Sequence, residues 1–92
     1  MSRTAYVNGN YVALEDARIS VLDRGFLFAD GVYEVTAVLD GRLLDAKNHL
    51  KRLRRSLGEI DLVFPMSDDE IIGIHLELAR RNGLTDGLIY LQ

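Results

Sequence analysis

Apolar and polar residues follow two different rhythms along this chain. Up to residue 44 they fall into short runs separated by turn residues. From residue 46 they recur every three or four positions. Tyr6-Val7 and Tyr11-Val12 flank Asn8-Gly9, a pair suited to a two-residue hairpin turn with positive φ at both positions. Residues 17–21 predict a third short strand, although Arg18 and Ser20 interrupt its apolar run. Residues 22–31 read as a connection, with Gly25 and Gly31 free to take backbone conformations closed to larger residues. Between them stand Phe26, Leu27, Phe28 and Ala29, so apolar a loop that it is expected to pack against something.

Residues 32–39 read as a central strand rich in Val, Tyr and Thr. Alternation puts Tyr33, Val35, Ala37 and Leu39 on one face and Val32, Glu34, Thr36 and Val38 on the other. Asp40-Gly41 turns the chain into Arg42-Leu43-Leu44, a second hairpin. Leu50, Leu53, Leu57 and Ile60 form one apolar stripe and predict a helix over 46–60, with Asp45 as a candidate cap. A second helix is expected after Pro65. Ser67 and Glu70 make a capping-box pattern at its start, Arg80 and Arg81 suit its last turn, and Gly83 suits its end. Residues 88–91 predict a last strand. The expected order, β-β-β-β-β-α-α-β, gives an α+β fold: a small two-layer domain of antiparallel hairpins and two helices.

Ninety-two residues, 48% of them hydrophobic, bound the chain to one small folded domain. The absence of cysteine removes disulfides, thiolate catalysis and cysteine metal sites. Two histidines give no recognised zinc spacing. Neither a nucleophile elbow nor a glycine-rich dinucleotide fingerprint occurs. Met1-Ser2-Arg3-Thr4 does not open an apolar leader, and no run approaches the roughly 20 apolar residues of a membrane span. A cytoplasmic protein is expected. The net charge of -3 argues against bulk nucleic-acid binding. Residues 46–61, however, hold Lys47, Lys51, Arg52, Arg54 and Arg55 against two acids, and an anionic ligand suits part of that surface.

Three groups are candidates for chemistry. His49 and Arg52, three apart on the first helix, lie near the rim of the apolar stripe, where a guanidinium fork suits a phosphate. The same spacing also describes a solvated helix face with a half-buried histidine. Tyr33 stands beside the glycine-rich connection, and its hydroxyl suits a ligand carboxylate or simply caps a core tyrosine. Asp23, Arg24, Asp30 and Glu34 read more readily as structural, with Asp23 and Arg24 tying the connection down. His75, within an apolar helix, reads as a packing residue.

Asp23-Arg24-Gly25, Phe28-Ala29-Asp30-Gly31-Val32-Tyr33-Glu34 and His49-Leu50-Lys51-Arg52-Leu53 resemble the N-terminal motifs of class IV aminotransferases, the fold-type IV pyridoxal-phosphate enzymes. Asp30-Gly31-Val32-Tyr33-Glu34-Val35 is most similar to the D-amino-acid transaminase branch; the branched-chain enzymes usually carry phenylalanine at the position of Tyr33. The resemblance implies that Arg52 binds the phosphate of pyridoxal 5'-phosphate, with His49 supporting that surface, and that Tyr33 helps hold the substrate carboxylate. It further implies a homodimer, in which an arginine and a histidine of the partner subunit complete the carboxylate site. Amino acids and 2-oxo acids would be the substrates. The family's catalytic lysine belongs to a larger second domain outside residues 1–92. Lys47 and Lys51 lie in the wrong context for it, so no catalytic residue is assigned, and the chain alone is expected to be inactive. Aminodeoxychorismate lyase, branched-chain transamination, a non-catalytic oligomerisation or peptide-binding domain and, more weakly, RNA binding are the alternatives.

Overall fold

A computed structural model describes residues 3–92. Met1 and Ser2, which open the segment read for a leader, lie outside the described residues. Strands β1 (Thr4–Val7) and β2 (Asn10–Ala13) form the expected hairpin, with Tyr6 opposite Tyr11. Asn8 and Gly9 take φ values of 50° and 91°, the double positive-φ turn that their side chains tolerate. A 3-10 turn over Leu14–Asp16 follows.

The expected third strand is not formed. Residues 17–20 have no regular structure, and Ile19 and Val21 are exposed. A strand is stable only against a partner, and the interrupted apolar run gives this segment no face to bury. The connection that follows contains a short helix, α1 (Arg24–Phe28), that the sequence reading missed. Asp23 caps it by accepting from the Gly25 backbone N–H at 2.8 Å, and Arg24 pairs with Asp30 at 2.7 Å. Contrary to expectation, its apolar side chains do not pack inward: Phe26 is 66% exposed, and Leu27 and Phe28 are exposed as well.

Strand β3 (Glu34–Leu39) pairs antiparallel with β4 (Arg42–Leu43) on one side and β5 (Gly87–Leu91) on the other, giving the order β4-β3-β5. Helices α2 (Ala46–Glu59) and α3 (Asp68–Arg81) cover one face of this sheet. The chain is therefore an α+β two-layer domain, as expected, with the β1–β2 hairpin as a separate ribbon. Alternation decides which face is covered. Glu34, Thr36 and Val38 are buried against the helices, whereas Tyr33, Leu39, Leu88 and Tyr90 stand exposed on the outer face. Leu50, Leu53 and Leu57 of α2 meet Ile71 of α3 in one core cluster, and Val38, Ala79 and Ile89 form a second.

The helix ends are only partly as read. Ser67 and Glu70 complete a capping box on α3. Asp45 does not cap α2 with its side chain. Its φ of 59° turns the backbone into the left-handed region, and its carboxylate accepts from the Asn48 amide instead. His75 is buried, with Nδ1 2.8 Å from the Ile71 carbonyl oxygen, the packing role expected of it. Asn82 ties the hairpin to α3. Its Oδ1 accepts from the Thr4 N–H at 2.8 Å, and its Nδ2 donates to the carbonyls of Thr4 and Leu78.

Candidate functional site

The candidate site grows out of β3. Successive residues of a strand point to opposite faces, so Tyr33 and Glu34 serve two different surfaces. Glu34 points to the helix layer, where its side chain is 6% exposed. A buried carboxylate requires partners, and α2 supplies two. His49 Nδ1 lies 2.7 Å from Glu34 Oε1. Arg52 reaches the same carboxylate with a fork: Nε donates to Oε2 and Nη2 to Oε1, each at 2.8 Å. One helical turn brings His49 and Arg52 together because residues three apart share a face, and the neighbouring Leu50 and Leu53 anchor that face in the core.

The electrostatics follow from this geometry. Hydrogen bonds from Arg52 lower the Glu34 pKa from 4.5 to about 2, overriding the opposing effect of burial, with His49 adding to the fall. The same bonds to Glu34 raise the pKa of Arg52, and the Tyr33 phenol adds a smaller electrostatic contribution. Glu34 is therefore a fixed anion and Arg52 a fixed cation at neutral pH. Two of the five guanidinium N–H donors are engaged by Glu34. The rest belong to a side chain that is 58% exposed.

The tyrosine surface is built on the opposite face of the sheet. The Tyr33 ring is 64% exposed and stacks on Tyr90 of β5, with centroids 5.7 Å apart and planes 18° apart. The pair is diagonal across the ladder, since Val35 stands opposite Tyr90. A hollow of about 210 Å³ is lined by both rings, the backbone around Gly25 and Gly31, and Gln92.

The structure thus joins His49 and Arg52 in one cluster and places Tyr33 on the other face beside α1. Glu34 is the residue that sequence reasoning undervalued. The available signal was an acid alternating with Thr36 and Val38 on the buried side of a strand. Lys47 and Lys51 are exposed on α2. Among the described residues no group of three or more His, Asp or Glu is arranged to hold a metal ion. No helix there is long and apolar enough to cross a membrane.

The profile of a family described as amino-transferase class IV matches residues 31–92, a span that contains Tyr33, Glu34, His49 and Arg52. The chain belongs to the class IV aminotransferase family. D-alanine aminotransferase of Staphylococcus epidermidis is 39% identical to this class IV aminotransferase chain over 87 residues, and that of Listeria monocytogenes serotype 4b is 40% identical over 86. These matches take in 95% and 94% of the chain but only 31% and 30% of the relatives. The chain therefore spans under a third of their length. A branched-chain aminotransferase from Thermoproteus uzoniensis, solved with norvaline, superposes on 98% of the chain with a TM-score of 0.81 at 28% identity. A second branched-chain amino acid aminotransferase superposes with a TM-score of 0.88 at 24% identity and shows the same fold. It was solved with N-(5'-phosphopyridoxyl)-L-glutamate. The two alignments cover 31% and 32% of the neighbours' chains.

Class IV aminotransferases depend on pyridoxal phosphate. The donor set here fits the phosphate of that group. Arg52 is permanently charged, oriented by a buried carboxylate, and still has N–H groups to donate.

Proposed function

We propose that this chain is the N-terminal part of a pyridoxal-phosphate-dependent aminotransferase that moves the amino group of a D-amino acid to a 2-oxo acid. The observation that carries this reading is the identity of 39–40% to D-alanine aminotransferases across nearly the whole chain. Arg52 holds the cofactor phosphate. Glu34 fixes the direction of its fork, and His49 steadies Glu34 alongside it. Tyr33 donates its hydroxyl to the substrate carboxylate from the outer face of the sheet, one residue ahead of β3. The bound cofactor supplies the electron sink that weakens bonds at the substrate's α-carbon.

A lysine of a larger second domain moves the proton at that carbon, and the protein works in the cytoplasm as a homodimer. Neither Lys47 nor Lys51 takes that role, so residues 1–92 alone do not turn over substrate. Branched-chain transamination is the second reading, favoured by the Thermoproteus uzoniensis likeness. Initial rates of the full-length protein with D-alanine and with L-leucine, each with 2-oxoglutarate, decide between them. Turnover of D-alanine with a raised KM in Tyr33→Phe is the expected result. Turnover of L-leucine alone overturns the D-amino-acid assignment.

A further inference from the structure

Arg52 has the donors to grip a phosphate but little of the field needed to draw one in. Glu34 holds its guanidinium at two points, so at a distance the two charges cancel. Beyond Glu34, whose hydrogen bonds dominate, Asp45 adds a smaller electrostatic contribution to the raised pKa of Arg52. A second negative charge therefore stands in its neighbourhood. The chain as a whole carries -3, and such a balance repels an approaching phosphate dianion. Attraction over distance has to come from other side chains.

Arg24, Arg52, Arg54, Arg80 and Arg81 cannot supply it, because each is paired with an acid. Lys47, Lys51 and Arg55 on α2, with Arg42 on β4, make no ion pair among the described residues. The three on α2 are exposed and follow one another at intervals of four, which lines them up as one stripe along the helix. The acids of this segment, Asp45 and Glu59, lie at the two ends of the stripe. Lys51 precedes Arg52, and Arg55 stands three residues after it. Side chains at that spacing are about 5–6 Å apart at Cβ. The Debye length at physiological ionic strength is about 8 Å, so the field of the stripe reaches the Arg52 fork.

We propose that Lys47, Lys51 and Arg55 guide the anionic cofactor, raising the rate at which its phosphate reaches Arg52 without binding the group once it is seated. The inference rests on the aminotransferase reading for the identity of the anion. Glu34 gives Arg52 its direction and cancels its charge at long range, and the stripe restores the attraction. Steering acts on the encounter, so it shows in the association rate and its salt dependence, whereas contact shows in dissociation.

The test is the rate of cofactor uptake by the full-length apoenzyme, followed by cofactor absorbance. Pyridoxal phosphate is one probe, and pyridoxal, which lacks the phosphate, is the other. In the unsubstituted protein the second-order rate for pyridoxal phosphate is expected to fall with added salt, and that for pyridoxal to stay unchanged. In Lys47→Gln/Lys51→Gln/Arg55→Gln the pyridoxal phosphate rate is expected to fall about tenfold at low ionic strength. The difference is expected to close towards about 1 M salt, where the Debye length is about 3 Å. Glutamate at the three positions is expected to slow uptake further, with dissociation changing less than association and pyridoxal uptake unaffected. A pyridoxal phosphate rate that ignores salt in the unsubstituted protein overturns the inference. Equal slowing of both probes in the substituted proteins overturns it as well. Uptake of pyridoxal phosphate that is indifferent to the three charges overturns the inference alone and leaves the aminotransferase reading. An unsubstituted apoenzyme that takes up neither probe overturns that reading and the inference with it.

Discussion

Glu34 links the two surfaces of the site, because a carboxylate on the covered face of β3 sits one residue from a phenol on the open face. Its pKa of about 2 lies below the ordinary 4.5, so the sign of its effect on stability is fixed. The folded state prefers the ionised form. The contribution is complete above pH 4.5 and is lost as pH falls towards about 2. About 3 kcal/mol is the ceiling that such a shift allows, and solvent around the exposed part of Arg52 reduces it. Glu34→Gln keeps a carbonyl acceptor and removes the charge. Denaturant titrations at pH 7 are expected to show it roughly 1–3 kcal/mol less stable, with a flatter loss of stability between pH 4.5 and 2 than the native chain. An identical acid profile in both proteins would show that the cluster is not coupled to folding. At the same scale, Arg52→Ala in the full-length enzyme is expected to weaken pyridoxal phosphate retention roughly 10- to 100-fold, the worth of a charge-assisted phosphate contact. Cofactor absorbance after dialysis measures it, and unchanged retention removes the phosphate role.

Elements of this domain are held in place by a few polar side chains at their ends. The β1–β2 hairpin shares no ladder with the other sheet, and Asn82 fastens it by bonds in both directions to Thr4. Arg81 adds to this, its guanidinium 4.1 Å from the centroid of Tyr11. Asn82→Ala is expected to cost about 1–3 kcal/mol, since it strands the Thr4 N–H and takes a donor from the Thr4 carbonyl, while the Leu78 carbonyl keeps the backbone N–H of residue 82. Hydrogen exchange should localise the loss, with faster exchange in β1 and β2 and little change in β3. Uniform acceleration throughout would mean that the hairpin is not a separately anchored unit. A comparable latch holds the connection between the helices: Arg54 donates to the carbonyls of Phe64 and Met66 and pairs with Asp68 at 3.0 Å. These latches were not legible in the sequence. Asparagine at a helix end and arginine on a basic helix have many possible partners, and Thr4 lies 78 residues from Asn82 while the partners of Arg54 lie 10 to 14 residues away.

The whole molecule rests on two small apolar clusters rather than one deep core. Leu53 is 3% exposed and stands in the first of them, between the two helices. Truncation of a buried leucine costs about 2–5 kcal/mol, and a domain of this size has about 5–15 kcal/mol in total at most. Leu53→Ala is therefore expected to lose much of the cooperative thermal transition in circular dichroism. A melting temperature within a few degrees of the native chain would show that the first cluster is dispensable.

The sequence by itself determined the periods of its elements. Asn8-Gly9, the Ser67–Glu70 box, the leucines of α2 and the alternation along β3 all act over a few neighbouring residues. Short-range stereochemistry therefore fixed the first hairpin, the two long helices and the faces of the central strand. It also put His49 and Arg52 on one face of α2 and set Tyr33 and Glu34 on opposite faces, and the sequence motifs resembled those of the family to which the chain belongs. Tertiary structure decided what depends on partners distant in sequence. Residues 17–21 found no strand to pair with, so the apolar side chains of Ile19 and Val21 stayed in solvent. Glu34 became an anion under the helix layer because α2 folded across it with two donors facing inward. Tyr90 and Gln92 reached Tyr33 only through the register of β5 on β3. A strand's own pattern sets which way each side chain points, but only its pairing with another strand sets what that side chain meets.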